Sequence, residues 1–277
     1  MGDVFQFPYN QQPSAGANRR KENEMGIRLF PYYGAKIRLS KKYPAPIYPK
    51  IIEPFGGSAG YSCRHYRNEI HLYEANKKIY DTLRFLIDAT KKDILDLPVL
   101  GFSDSVDDFD IPDGAKHLIG FWCNHGCSSP PKRLSTWGKQ TITKSPDTTR
   151  FWGSSRREIL SKTVMEINHW QIFYADYNDA LSQEYATWFI DPPYQKMGYA
   201  YKNRNINYES LGTICTKLNG HVIACENADA DWLPFRKLTE HHGVRKTKKK
   251  NVEVFWVNND RFGNKYFMGD NNEKTKM

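Results

Sequence analysis

The run Ala186-Thr187-Trp188-Phe189-Ile190 leads without a break into Asp191-Pro192-Pro193-Tyr194. A short apolar run ending at a carboxylate reads as a buried strand. The far edge of such a strand is where an open α/β sheet holds its ligand. The two prolines remove two backbone donors and stiffen the turn, while their carbonyls stay able to accept hydrogen bonds. An acid, a rigid acceptor loop and an aromatic ring therefore converge. That set suits a planar amino group on a heterocycle: the acid and a carbonyl accept its hydrogens, and the ring stacks. A plain Pro-rich turn explains the tetrapeptide equally well on its own.

Three further motifs weigh against the plain turn. Ile51-Ile52 runs into Glu53-Pro54-Phe55-Gly56-Gly57-Ser58-Ala59-Gly60, a loop of small residues that lets a ligand approach the backbone. A second strand, Glu69-Ile70-His71-Leu72-Tyr73, ends at Glu74-Ala75, where dinucleotide-binding folds place a ribose-binding acid. A third, Gln171-Ile172-Phe173-Tyr174, ends at Asp176-Tyr177 just before the first motif. A glycine loop by chance is easy to accept; all four features in this order are not.

In this combination the chain resembles the S-adenosylmethionine-dependent DNA adenine-N6 methyltransferases of the Dam-like group, most closely the phage-type members. The resemblance covers roughly residues 28 to 260. Tyr32-Tyr33-Gly34-Ala35-Lys36 is similar to the group's N-terminal cofactor motif, and Glu53-Pro54-Phe55 to the start of its cofactor loop. Glu74-Ala75-Asn76 resembles an Asp-x-Asn ribose motif with Glu for Asp, and Asp176-Tyr177 the pair bordering the cofactor's adenine. One departure is Ala59, which stands at the second glycine of the usual Phe-x-Gly-x-Gly pattern; alanine is small, and the pocket is expected to survive.

The resemblance implies an α/β fold: a Rossmann-like methyltransferase core on a mixed seven-stranded sheet, with an inserted DNA-recognition subdomain. Residues 26–95 and 156–277 would form the core, 96–155 the recognition insert, and the polar stretch 1–25 a flexible tail. S-adenosylmethionine is the implied cofactor, with Tyr32, Gly34, Lys36, the loop Pro54 to Gly60, Glu74, Ala75, Asp176, Tyr177 and Asp191 at its site. Asp191, Pro192, Pro193 and Tyr194 would hold a flipped adenine. The implied transfer is direct, with no covalent enzyme intermediate and no metal. Cytosine N4 is the alternative target, but a serine in place of Asp191 would favour it. RNA, or a non-catalytic DNA-binding role, remains open from sequence.

Composition agrees with a polyanion partner. The 277 residues carry a formal charge of +9, which favours a polyanion; the resemblance implies that it is double-stranded DNA. Asn124, Lys132, Arg133, Arg156, Arg157 and Lys248 are the candidate DNA contacts, taken as a cluster; singly, each is a solvated side chain. Segment 155–168 is expected to be a helix with Ile159, Val164 and Ile167 inward and Arg156, Arg157 and Lys162 outward. Five cysteines, an odd number, point to a reduced cytoplasmic setting, bacterial or that of a phage-infected host. Cys123-x-His125-x-Cys127 invites a zinc reading, but the spacing is too tight for a structural site, so free thiols are expected. No run approaches the roughly 18 apolar residues of a membrane span.

Overall fold

The computed structural model describes residues 26–196, 205–242 and 250–258. The expected tail and Lys248 lie outside the described residues. Seven strands form one sheet: β1 Lys50–Glu53, β2 Glu69–Glu74, β3 Gln171–Tyr174, β4 Ala186–Ile190, β5 Gly220–Asn227, β6 Arg236–His242 and β7 Lys250–Val257. Their order is β3-β2-β1-β4-β5-β7-β6. The first five run parallel, whereas β7 runs antiparallel to both β5 and β6. This is the mixed seven-stranded, Rossmann-like sheet expected from the sequence.

Burial explains the strand sequences. Parallel strands covered on both faces read as continuous apolar runs, and every residue of β4 is buried. Ile51, Ile52, Ile70 and Leu72 are removed from solvent; burying such a side chain contributes about 1.5–3 kcal/mol.

Six helices flank the sheet: α1 Lys77–Asp88, α2 Lys91–Asp96, α3 Asp113–Cys123, α4 Thr136–Lys144, α5 Ser154–Ile167 and α6 Tyr208–Lys217. The Asn76 side chain accepts from the Lys78 N–H and starts α1. Ile79, Leu83, Leu86 and Ile87 then form its buried stripe, as their spacing predicts. Helix α3 packs on α1 so closely that a Cβ on Gly114 would lie 2.3 Å from the Asp81 carbonyl oxygen. Its Leu118, Ile119, Phe121 and Trp122 join the same apolar cluster as Leu83 and Leu86. The segment 96–155 is thus bonded into the main core through α3.

Helix α5 corrects one expectation. Its buried residues are Arg156, Leu160, Ser161, Thr163, Val164 and Ile167, while Ile159 is 40% exposed. Arg156 turns inward because the Trp122 ring offers its guanidinium a π face, 3.8 Å from centroid to Cζ. An aliphatic stem with a stackable head can occupy an inward position that a hydrophobicity count gives to isoleucine.

Candidate active site

The carboxyl ends of the parallel strands each present an acid: Glu53 closes β1, Glu74 closes β2, Asp176 follows β3, Asp191 follows β4, and Glu226 lies near the end of β5. The strand order reverses between β1 and β4, and the crevice at such a reversal is the usual ligand position. A cavity of about 660 Å³ opens there, within the roughly 300–1,000 Å³ typical of small-molecule sites. Tyr32, Gly34, Lys36, Pro54, Phe55, Gly56, Gly57, Ser58, Gly60, Glu74, Ala75, Asp176, Tyr177, Asp191 and Pro193 all line it. Ala59, Pro192 and Tyr194 do not line it, although the sequence placed them with the others.

The glycine loop is bent by specific backbone demands. Gly57 and Ala59 both take left-handed conformations, with φ of 49° and 54°. Glycine adopts this freely, while alanine pays a steric penalty, so the departure at Ala59 is a strained position rather than an empty one. Gly60 is required by a close approach: a Cβ there would lie 2.8 Å from the Lys36 backbone nitrogen. The glycine loop and the Tyr32–Lys36 stretch are therefore in close backbone contact.

Glu74 holds the loop. Its carboxylate accepts from the Gly57 N–H at 2.8 Å and from the Asn76 N–H at 2.7 Å, one donor on each oxygen. Burial pushes its carboxyl up to about 7, against the pull of these backbone donors. Each oxygen keeps acceptor capacity toward the cavity. Phe55 and Tyr177 stack with centroids 4.9 Å apart and form an aromatic wall. Asp176 caps the short 3-10 turn Tyr177–Ala180 by accepting from the Asn178 N–H, so it serves the turn while lining the cavity.

Lys36 is the centre of the charged part. It is buried, and its ammonium lies 2.8 Å from Asp191 Oδ1, 3.7 Å from Glu253 Oε1 and 4.7 Å from the Tyr194 ring centroid. Burial pulls its pKa down, but Asp191, Tyr194 and Glu253 outweigh that, and it stands well above the usual lysine value. Burial raises the Asp191 carboxyl to about 6, with Lys36 opposing. Glu253 Oε1 accepts from the Tyr43 hydroxyl at 2.7 Å and from the Tyr194 hydroxyl. The Pro193 carbonyl accepts from the Tyr208 hydroxyl. Beneath, Tyr61 stacks on Phe189 at 4.3 Å, two residues before Asp191.

No protein-family model matches the chain, and no curated protein matches it. Several solved structures are distantly similar. A "conserved hypothetical protein" of Streptococcus pyogenes is 13% identical at a TM-score of 0.32, over 76% of this chain and 85% of that one. A "putative methylase" of Haemophilus influenzae is 9% identical at a TM-score of 0.27, over 74% of this chain and 77% of that one. At that distance the site speaks only through its own geometry.

Glu253 and Tyr43 are functional-site residues that sequence reasoning missed. The available signal for Glu253 was an acid flanked by Val252 and Val254 in an apolar strand. The proposed nucleic-acid contacts have internal partners. Lys132 pairs with Asp107, and Arg133 donates to the Ser103 carbonyl. Arg157 donates to the carbonyls of Leu95 and Leu97 at the end of α2. Asn124 is the residue that ends α3. Among the described residues, no group of three or more His, Cys, Asp or Glu is placed to hold a metal ion. His125 bonds the Arg150 carbonyl, and the Cys127 thiol donates to the Asn124 carbonyl at 3.3 Å. All five cysteines are free thiols. No described helix is long and apolar enough to cross a membrane.

Proposed function

We propose that this chain transfers a methyl group from S-adenosylmethionine to N6 of an adenine flipped out of duplex DNA. The observation that carries the reading is the Lys36–Asp191 pair at 2.8 Å, set in one cavity with the glycine loop and Glu74. The cradle fits the cofactor's chemistry. Two carboxylate oxygens with spare acceptor capacity suit a ribose diol, and the Phe55–Tyr177 stack offers a face to a purine. S-adenosylmethionine supplies an electrophilic methyl on a sulfonium.

The rest is done by the chain's own residues. The exocyclic nitrogen of adenine is a weak nucleophile because its lone pair is delocalised. Asp191 keeps Oδ2 for the amino hydrogens while Lys36 fixes Oδ1. The second acceptor is a carbonyl of the proline turn: that of Pro193, which lines the cavity, accepts from Tyr208 and keeps a second lone pair. Two acceptors favour a pyramidal nitrogen and the positive charge that develops on it, a preorganised stabilisation of the transition state. Tyr194, held through its hydroxyl by Glu253 beside the cavity rather than in its lining, is the ring offered to the base. Orientation supplies much of the remaining acceleration.

The test is methyl transfer from labelled S-adenosylmethionine to unmethylated genomic DNA, with nucleoside analysis by mass spectrometry. N6-methyladenine is expected. N4-methylcytosine, or product on RNA alone, would replace the target; no product on either polymer would leave a binding protein on this fold.

A further inference from the structure

Three guanidinium groups converge at the end of α3 without any acid to balance them. Arg28 lies 5.1 Å and Arg156 3.8 Å from the Trp122 ring centroid. Arg150 lies 4.9 Å from the Trp137 ring centroid, and Trp137 is 44% exposed. His125 sits in the middle, in edge contact with Trp122, Trp137 and Phe151. Among the described residues none of these three arginines forms an ion pair. Arg156 is 7% exposed and donates through Nη2 to the Thr149 carbonyl, while the buried Nε atoms of Arg28 and Arg156 have no hydrogen-bond partner. Burial, and then Arg28, lowers Arg156 to about 10. Buried charge without a counter-charge is unfavourable, and stacking on Trp122 does not neutralise it.

We propose that Arg28 and Arg150 form a phosphate clamp that holds the backbone of the DNA substrate beside the active site, with the buried Arg156 behind them adding its positive field. The inference rests on the DNA reading above and specifies where the duplex is gripped. Guanidinium forks match phosphate oxygens, and two forks backed by a third positive charge exceed what one carboxylate ligand needs, as successive phosphodiesters would supply. Position supports the same occupant. The backbone N–H of the cavity-lining Tyr33 donates to the Cys127 carbonyl at 3.1 Å, so the loop carrying His125 abuts the cavity wall. Arg28 and Lys36 belong to one short stretch, and an extended chain keeps their Cα atoms within about 29 Å. That is less than the roughly 34 Å of one duplex turn. A clamp on the backbone reads no bases, so it serves any recognition sequence equally.

The test is binding of the full chain to a short fluorescein-labelled duplex by anisotropy, from about 50 to 200 mM salt. Each lost phosphate contact lowers the slope of log affinity against log salt by about 0.9. The R28Q/R150Q double variant is therefore expected to lose about 1.8 from the slope, equally on unrelated duplexes. R28K should retain the wild-type slope. K91Q/K217Q removes the same charge at the opposite end of the strands and should leave the slope unchanged. Thermal melting of each variant separates this from misfolding, and R28Q alone serves if the double variant melts early. An unchanged slope in folded R28Q/R150Q overturns the clamp, as does an equal drop in K91Q/K217Q. Methyl transfer by the wild type reports separately: activity with an unchanged slope sinks the clamp alone, and clamp behaviour without methyl transfer sinks the reaction alone.

Discussion

A single ammonium organises the chemistry at the residue scale. Lys36 meets Asp191 and Glu253, and Glu253 in turn takes the hydroxyls of Tyr43 and Tyr194. Asp191→Ala removes the proposed acceptor for the amino group but leaves the Glu74 end of the cavity intact. Methyl transfer is expected to fall by at least about a hundredfold, with S-adenosylmethionine binding by calorimetry changed only a few-fold. Appreciable transfer in that variant would remove Asp191 from its role. The sign of the pH dependence follows from the raised carboxyl. Asp191 keeps its proton below about 6 and then loses the negative charge that favours the positive charge developing on the amino nitrogen. The ratio kcat/KM should rise through that pH and flatten above it; a profile flat down to pH values well below 6 would contradict this. Ala59 offers a third outcome. Its φ of 54° disfavours a side chain, and a left-handed alanine costs about 1–2 kcal/mol, part of which glycine's unfolded-state entropy cancels. Ala59→Gly should stabilise by about 0.5–1 kcal/mol in denaturant titration.

Close contacts between elements are as decisive as side-chain chemistry. Gly114 sits where α3 crosses α1, and an added methyl would meet the Asp81 carbonyl oxygen at 2.3 Å and Phe85 Cβ at 2.7 Å. Backbone cannot yield as a flexible side chain does, so Gly114→Ala is expected to destabilise by about 1–3 kcal/mol or more, measured by thermal unfolding. It should also lift the 96–155 segment from the core, which DNA-binding assays would register. The elements themselves were largely legible. Each parallel strand is a short apolar run that stops at an acid, and α1 displays its buried stripe at helical spacing. What escaped was partnership at a distance. Glu253 looks like any strand acid until β7 is laid against β5, which brings it to Lys36 and Tyr43. The register of α5 was missed because Arg156 is counted as polar, while in the fold it is half of a stacked pair with Trp122.

Across the whole molecule, the cavity couples ligand to folding. A ligand that binds only the native state adds stability by mass action, about 2.7 kcal/mol at a hundred times its Kd. S-adenosylmethionine is therefore expected to raise the melting temperature with increasing concentration, and no shift at saturating levels would favour a binding protein on this fold. The order of motifs along the chain foretold the sheet because each motif belongs to the carboxyl end of one parallel strand. It said little about the proposed grip on a polyanion, since charge gives a sum and not a location. The Tyr43–Glu253 bond joins residues 210 positions apart and brings the last strand onto the first part of the site. Contacts of that span form late, because loop closure precedes any gain from them. A nascent chain on the ribosome can complete β1, β2 and β4 and still lack the carboxylate that sets Lys36 and Tyr194. The charged cluster around Lys36 is thus completed only when β7 lies between β5 and β6.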